Sequence, residues 1–183
     1  MYFKRVYLST LAAIKIADHA IKGGDKEICG YMTGFARNGA FYVLDAVELP
    51  IIGTDSRVQV AGEMGDKAHI YYYKLSELLS KVGRSHLLVG WYHSHPGFGC
   101  WLSGIDCNTQ KQLQMIYKTF FALVVDPYRT LSNRKLEIGA FVCYNNENAV
   151  SKTNFYESIP LHMSEVSIVN PRNMEYILLN IIR

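Results

Sequence analysis

Residues 90–106 read GWYHSHPGFGCWLSGID, and this stretch holds a strand end, a turn and a helix start. A strand places residues i and i+2 on one face. An extended segment over 87–95 therefore aims His93 and His95 the same way. Pro96 and Gly97 turn the chain directly afterwards, and Gly99 and Gly104 add freedom. Ser103 followed by Asp106 has the S-x-x-D form of a helix capping box. Ile105, Leu113, Ile116 and Phe120 continue from it as a rough apolar stripe. The turn lets the helix N-terminus fold back toward the strand end.

Each half has an ordinary explanation. Two histidines on a strand can be a wetted polar face, and Ser103 with Asp106 can be a cap and nothing more. Taken together, His93, His95 and Asp106 are three ligands for a divalent metal, with the Ser103 hydroxyl beside them. A carboxylate in a first turn also feels the positive end of the helix dipole, which keeps it ionised. Two imidazole nitrogens and one carboxylate oxygen, with a fourth position open, make the pattern of catalytic zinc. Zinc lowers the pKa of its water toward ~7. A hydrolase of this kind also needs a general base. The chain has no H-E-x-x-H, so the base comes from elsewhere. Glu27 opens the strand-like EICGYMT, and spacing alone does not separate it from Glu48 or Glu63.

Outward from the motif, the pattern alternates between strands and helices. A short strand is predicted over 2–7, then a helix capped by Ser9 and ended by Gly23-Gly24. Strands over 27–33 and 40–49 form a hairpin around Asn38-Gly39, a strong turn signal. A loop over 50–60 precedes a second helix over 65–82. The motif's own helix runs to about Tyr117. Strands over 120–126 and 136–144 follow, joined through 127–135. The polar piece 145–154 is the candidate for mobility, and 174–182 is apolar enough for a strand or a helix. This order gives an α/β class with a mixed sheet flanked by helices.

At 183 residues the chain suits one domain with a sizeable core. Its apolar share is 49% and its net charge only +3, with no basic run, so nucleic acid is not the expected partner. The N-terminal apolar stretch is broken by Lys15 and Asp18, so no signal peptide is expected. No segment reaches the ~18 apolar residues of a membrane span. A soluble protein of cytoplasm and nucleus is expected. Cys29, Cys100, Cys107 and Cys143 form no C-x-x-C, which argues against a zinc knuckle and a cytidine-deaminase site. Cys100 reads as a small packed thiol, and Ser94, facing away from the histidines, as a satisfied buried hydroxyl. His19, His69, His86 and His162 are expected in surface or core roles.

The run GWYHSHPGFGCWLSGID resembles the JAMM (MPN+) signature, E…H-S-H-P…S-x-x-D, of zinc-dependent isopeptidases. EICGYMTG resembles the family's segment with the upstream glutamate, which falls on Glu27. VLDAVELPIIGTDSRV, VGRSHLLVGWYHSHP, FALVVDPYRTLSNRKLEIGAF and FYESIPL resemble successive stretches of the family's COP9-signalosome branch. The proteasome-lid branch shares the central motif but lacks the GT-acid-x-RV and DPYRT-type phrases. The resemblance implies the deaminase-like α/β fold of MPN domains and tips 174–182 to a strand. Residue by residue, it implies His93, His95 and Asp106 as zinc ligands. It implies Glu27 as the base that moves a proton to the leaving amine, and Ser103 as hydrogen-bond donor to the oxyanion. The implied substrate is an isopeptide bond between a ubiquitin-like modifier and a lysine: Nedd8 on cullins in one branch, ubiquitin in the other. The implied partners are subunits of a COP9 signalosome-like complex, an MPN-fold subunit among them. An intact but idle site on a binding scaffold is the reading from outside enzymes.

One departure stands out. The stretch GTDSRV carries Asp55 where the COP9 branch has Glu. That loop is expected to shape access to the metal and to close the site partly in the isolated chain. Relatives continue into C-terminal helices that assemble a complex; residues 1–183 are read as a single catalytic domain without them.

Overall fold

The structure, a computed structural model, describes residues 4–52, 63–81, 87–117, 119–143 and 155–164. Strand Arg5–Ser9 (β1) buries Val6 and Leu8. Ser9 then caps the first helix: its hydroxyl accepts from the Ala12 amide at 3.1 Å and donates to the Leu44 carbonyl at 2.8 Å. Helix Thr10–Gly23 (α1) buries Ala12, Ala13, Ile16 and Ala20, a stripe at helical spacing. Ile28–Arg37 (β2) and Ala40–Ile52 (β3) pair as the expected hairpin. Asn38 and Gly39 both take positive φ (51° and 72°), as a type I′ turn requires. Helix Glu63–Lys81 (α2), strand Leu87–Ser94 (β4), helix Gly104–Ile116 (α3) and strand Phe121–Val125 (β5) follow. Helix Pro127–Asn133 (α4) and strands Ile138–Cys143 (β6), Tyr156–Ile159 (β7) and Leu161–Ser164 (β8) complete the described chain.

Among the described residues the strands form one mixed sheet in the order β7-β6-β5-β4-β2-β3-β1-β8. The central β4 runs antiparallel to β2 and parallel to β5. One face packs α1 against Val43, Tyr92, Phe121 and Leu123. The other packs Ala68 of α2 and Cys107 and Leu113 of α3 against Tyr31, Trp91, Ala122 and Val124. The α/β class and the mixed sheet flanked by helices agree with expectation. No helix among the described residues is long and apolar enough to cross a membrane.

Several boundaries moved, each for a physical reason. The first strand runs to Ser9, past the expected end at 7, where β8 and β3 flank it on both sides; residues 2 and 3 of the expected strand lie outside the described residues. The second hairpin strand passes through Pro50 to Ile52, where the loop was expected. The connection 127–135 contains α4, whose only buried residue is Pro127, so no apolar period announces it. The two edge strands β7 and β8 come from FYESIPL and its continuation, too short to show a period. The Asp55 loop and the stretches 145–154 and 174–182 lie outside the described residues.

A register shift opposite Met32 and Thr33 resets the alternation of β4. Leu88 and Trp91 pack on the α3 face, whereas Val89 and Tyr92 pack on the α1 face. A bulge re-aims every later side chain, and from Trp91 onward the odd-numbered residues face α3.

Gly34 sits at the matching irregularity between β2 and β3. A Cβ there would overlap the Tyr42 carbonyl oxygen, a backbone atom that cannot step aside. Gly34→Ala is expected to destabilise the fold by about 3 kcal/mol, the upper range for overpacking. Urea denaturation reads this as a lowered midpoint; an unchanged midpoint would show that the bulge relaxes freely.

Candidate metal centre

The strand end comes first. The His95 amide donates to the Val125 carbonyl at 2.9 Å, extending the β4–β5 ladder one step past Ser94. His93 and His95, at odd positions beyond the bulge, face α3 and are both buried. Ser94 points the other way and accepts from the Ile28 amide at 3.0 Å, the satisfied hydroxyl expected of it. Gly97 (φ 84°) and Gly99 (φ 80°) then take the chain through conformations that a side chain would strain.

The helix end comes back to meet it. Ser103 caps α3 by accepting from the Asp106 amide at 3.2 Å, while Asp106 Oδ2 accepts from the Ser103 amide at 2.7 Å. This is the full reciprocal capping box. It fixes the Asp106 carboxylate in a rotamer aimed at the histidines. His93 Nε2 lies 3.2 Å from His95 Nε2, and Asp106 Oδ2 lies 3.5 Å and 3.4 Å from the two.

These separations suit a shared cation. Zinc bonds to nitrogen and oxygen run about 2.0–2.2 Å, so two donors of one tetrahedron stand about 3.3–3.6 Å apart. The carboxylate contacts are too long for strong hydrogen bonds. His93, His95 and Asp106 form the one such ligand group among the described residues. The donor set and its spacing fit zinc.

Electrostatics support the same grouping. Burial alone would raise the Asp106 pKa. The charge of His93, the long contacts to the His93 and His95 rings and a hydrogen bond from Ser103 overcome it and hold the carboxyl well below its usual range. Asp106 is thus held in its ionised form.

The two imidazoles are held differently. His95 Nδ1 lies 3.3 Å from the Gly99 carbonyl, which leaves its Nε2 lone pair free for a metal. Gly99 is itself clamped: Asp126, fully buried, accepts from the Gly97 amide at 3.0 Å and the Gly99 amide at 2.8 Å. His93 Nδ1 has no hydrogen-bond partner at all. Its ring stacks on Trp91 instead, at 4.5 Å between centroids and 16° between planes.

Glu27 is buried and directly precedes β2. Cys29 pairs with His93, so the register carried two residues back sets Glu27 opposite His95. Burial first, and then the Glu27 carboxylate, push the Cys29 thiol up to about 12, which puts the Glu27 charge close to Cys29. Glu48 pairs with Gly30, as does Tyr92, and acts on His19 and Tyr92 across the α1 face. It is therefore on the wrong side of the sheet. Glu63 opens α2. Cys100 donates to the Glu137 carbonyl at 3.5 Å, and burial with the nearby Asp126 raises its thiol to about 11. It is a packed, protonated thiol, as expected. Among the other histidines, His19 packs half-buried on the Tyr92 hydroxyl at 2.8 Å, and His162 lies against the Tyr7 ring.

Three supporting residues escaped the sequence reading. Asp126 was legible in principle, because Asp before Pro is an N-cap followed by proline at the first helical position. Gln110 lies on the stripe of Cys107 and Leu113, where a polar residue signals a buried partner. Trp91 carries no signal that separates it from ordinary core.

Comparisons with known proteins converge on one family. A family model described as JAB1/Mov34/MPN/PAD-1 ubiquitin protease matches residues 1–119. The chain is 44% identical over 166 residues to COP9 signalosome complex subunit 5a of Arabidopsis thaliana, a match covering 90% of this chain and 45% of that protein. It is 45% identical over 164 residues to COP9 signalosome complex subunit 5 of Yarrowia lipolytica, covering 87% and 45%. The corresponding protein of Caenorhabditis elegans is 41% identical over 165 residues, covering 87% and 43%. The chain spans less than half the length of these relatives.

Proposed function

Because the chain belongs to the JAB1/Mov34/MPN/PAD-1 family, we propose that residues 1–183 form one catalytic domain of a zinc-dependent isopeptidase. Its bond is the amide between the C-terminal glycine of a ubiquitin-like modifier and a substrate lysine, with Nedd8 on cullins as the first candidate. The observation that carries the reading is the convergence of His93 Nε2, His95 Nε2 and Asp106 Oδ2 at 3.2–3.5 Å. These three residues would hold the ion. When bound, zinc supplies Lewis acidity, polarising the scissile carbonyl and acidifying water.

The chain's own groups supply the rest. Glu27 takes a proton from the attacking water and gives it to the departing lysine amine. Its burial suits a carboxylate that must gain and lose a proton within one cycle. Ser103 accepts from the Asp106 amide through its oxygen, which fixes the hydroxyl beside the ligand group. It gives a hydrogen bond to the oxyanion, where a preorganised donor is worth most. His95 is kept in one tautomer by the Gly99 carbonyl. The similarity to COP9 signalosome subunit 5 supports Nedd8 and assembly with signalosome-like subunits, one of them of MPN fold.

The family description itself names ubiquitin, which makes ubiquitin conjugates the second reading. The two are separated by matched Nedd8–cullin and ubiquitin–cullin conjugates, offered to the chain alone and with its assembly partners. Cleavage of the Nedd8 conjugate, abolished by a zinc chelator and restored by added zinc, is the expected result. Preferential ubiquitin cleavage would move the substrate to the second reading. Chelator-insensitive cleavage would overturn the metal mechanism. Stoichiometric zinc without turnover in any assembly would leave a scaffold.

A further inference from the structure

Gln110 is wholly buried on the apolar side of α3, one turn beyond Asp106. A buried amide is costly unless all its groups are bonded, and here they are. Oε1 accepts from Trp91 Nε1 at 2.8 Å. Nε2 donates to the Phe120 carbonyl at 3.1 Å and to Gln114 Oε1 at 2.6 Å. Gln114 is pinned in turn, accepting from the Cys143 amide and donating to the Cys143 carbonyl, each at 2.9 Å. An apolar side chain would fill the space with none of this requirement. The network has one outlet toward the metal centre, the indole of Trp91.

That outlet meets a need. Metal-bound imidazoles are normally oriented by a hydrogen bond at the second ring nitrogen. His95 has one in the Gly99 carbonyl. His93 does not: its Nδ1 is buried and unpartnered, and its plane lies 16° from that of Trp91. The ring can turn about its outer torsion unless something flat holds it. The indole is that surface, and the indole cannot swivel while its N–H is held by Gln110.

We propose that Gln110 is a positioning residue for His93, acting through the stacked indole of Trp91. Residues i and i+4 share a helix face. One turn of α3 therefore sets Asp106 directly and His93 at one remove. The inference rests on the zinc reading above and deepens it.

The test measures metal binding by the 183-residue chain, not turnover. Zinc affinity is read by chelator competition, ligand geometry by the visible spectrum of the cobalt-substituted protein, and fold stability by melting of the metal-free form. Gln110→Leu is expected to weaken zinc binding by about tenfold, the lower end for an outer support of a metal ligand, and to change the cobalt spectrum. Trp91→Phe keeps a ring to stack but loses the N–H, and should lose about as much. In the Trp91→Phe background, Gln110→Leu should then have no further effect on zinc affinity. Full affinity and an unchanged spectrum in Gln110→Leu, whatever its melting temperature, would overturn the proposal, as would additive losses in the double variant. If Gln110→Leu fails to fold, Trp91→Phe decides alone: unchanged affinity and spectrum refute the role. A parent chain that takes up no stoichiometric zinc would instead refute the zinc reading itself.

Discussion

Glu27→Gln is expected to slow isopeptide cleavage by about 10²–10⁴-fold, the usual worth of a general acid–base group, while zinc content stays at parent level. The substitution keeps shape and removes only the ability to carry a proton. Glu27 lies upstream of β2, apart from the three-residue ligand group, so the metal should not notice the change. Burial makes the effect large, because bulk water has little access to replace the lost carboxylate. The measurement is single-turnover cleavage of a Nedd8–cullin conjugate, with zinc counted in the same sample. Parent-level cleavage by the variant would remove Glu27 from the mechanism. Loss of zinc would make it a structural or ligand residue instead.

Asp126→Ala should be the most destabilising change near the site. Asp126 is fully buried at the end of β5 and accepts from three backbone amides: Gly97 at 3.0 Å, Gly99 at 2.8 Å and Arg129 at 3.0 Å. It also meets the Arg129 guanidinium at 3.2 Å. Removing it deletes a helix cap, worth about 1 kcal/mol, and strands the buried Gly99 amide, at about 1–3 kcal/mol, while the exposed Gly97 amide can turn to water. A total near 2–4 kcal/mol is expected, seen as a shifted denaturation midpoint. Asp126→Asn, which keeps an acceptor, should recover part of it. The effect should reach the metal, since Gly99 orients His95. An Asp126→Ala protein of parent stability would show that the turn holds itself.

The grouping of the three candidate ligands was largely legible because its signal is local. His93 and His95 share a face by strand geometry, and S-x-x-D writes the cap that aims Asp106. Glu27 was legible only through the family resemblance: its approach to the histidines depends on the pairing of β2 with β4, and no spacing rule reports pairing. Glu48 looked equal until the sheet put it on the α1 face. The fold shows the same divide. Ser9, Gly24 and Asn38-Gly39 mark their boundaries with caps and turn chemistry. The bulge in β4 leaves no such mark, because the parity change between Val89 and Trp91 is a property of the pair of strands. The edge strands β7 and β8 owe their existence to partners across the sheet rather than to their own short sequences.

The ligands His93, His95 and Asp106 follow one another with a single tight turn between them, whereas Glu27 arrives from the far side of a sheet pairing. Loops of this length close at little entropic expense. The His93–His95–Asp106 group therefore needs few long-range contacts to converge, whereas Glu27 joins it only when β2 meets β4. Under the zinc reading proposed above, a partly folded chain would gather its ligands before its base.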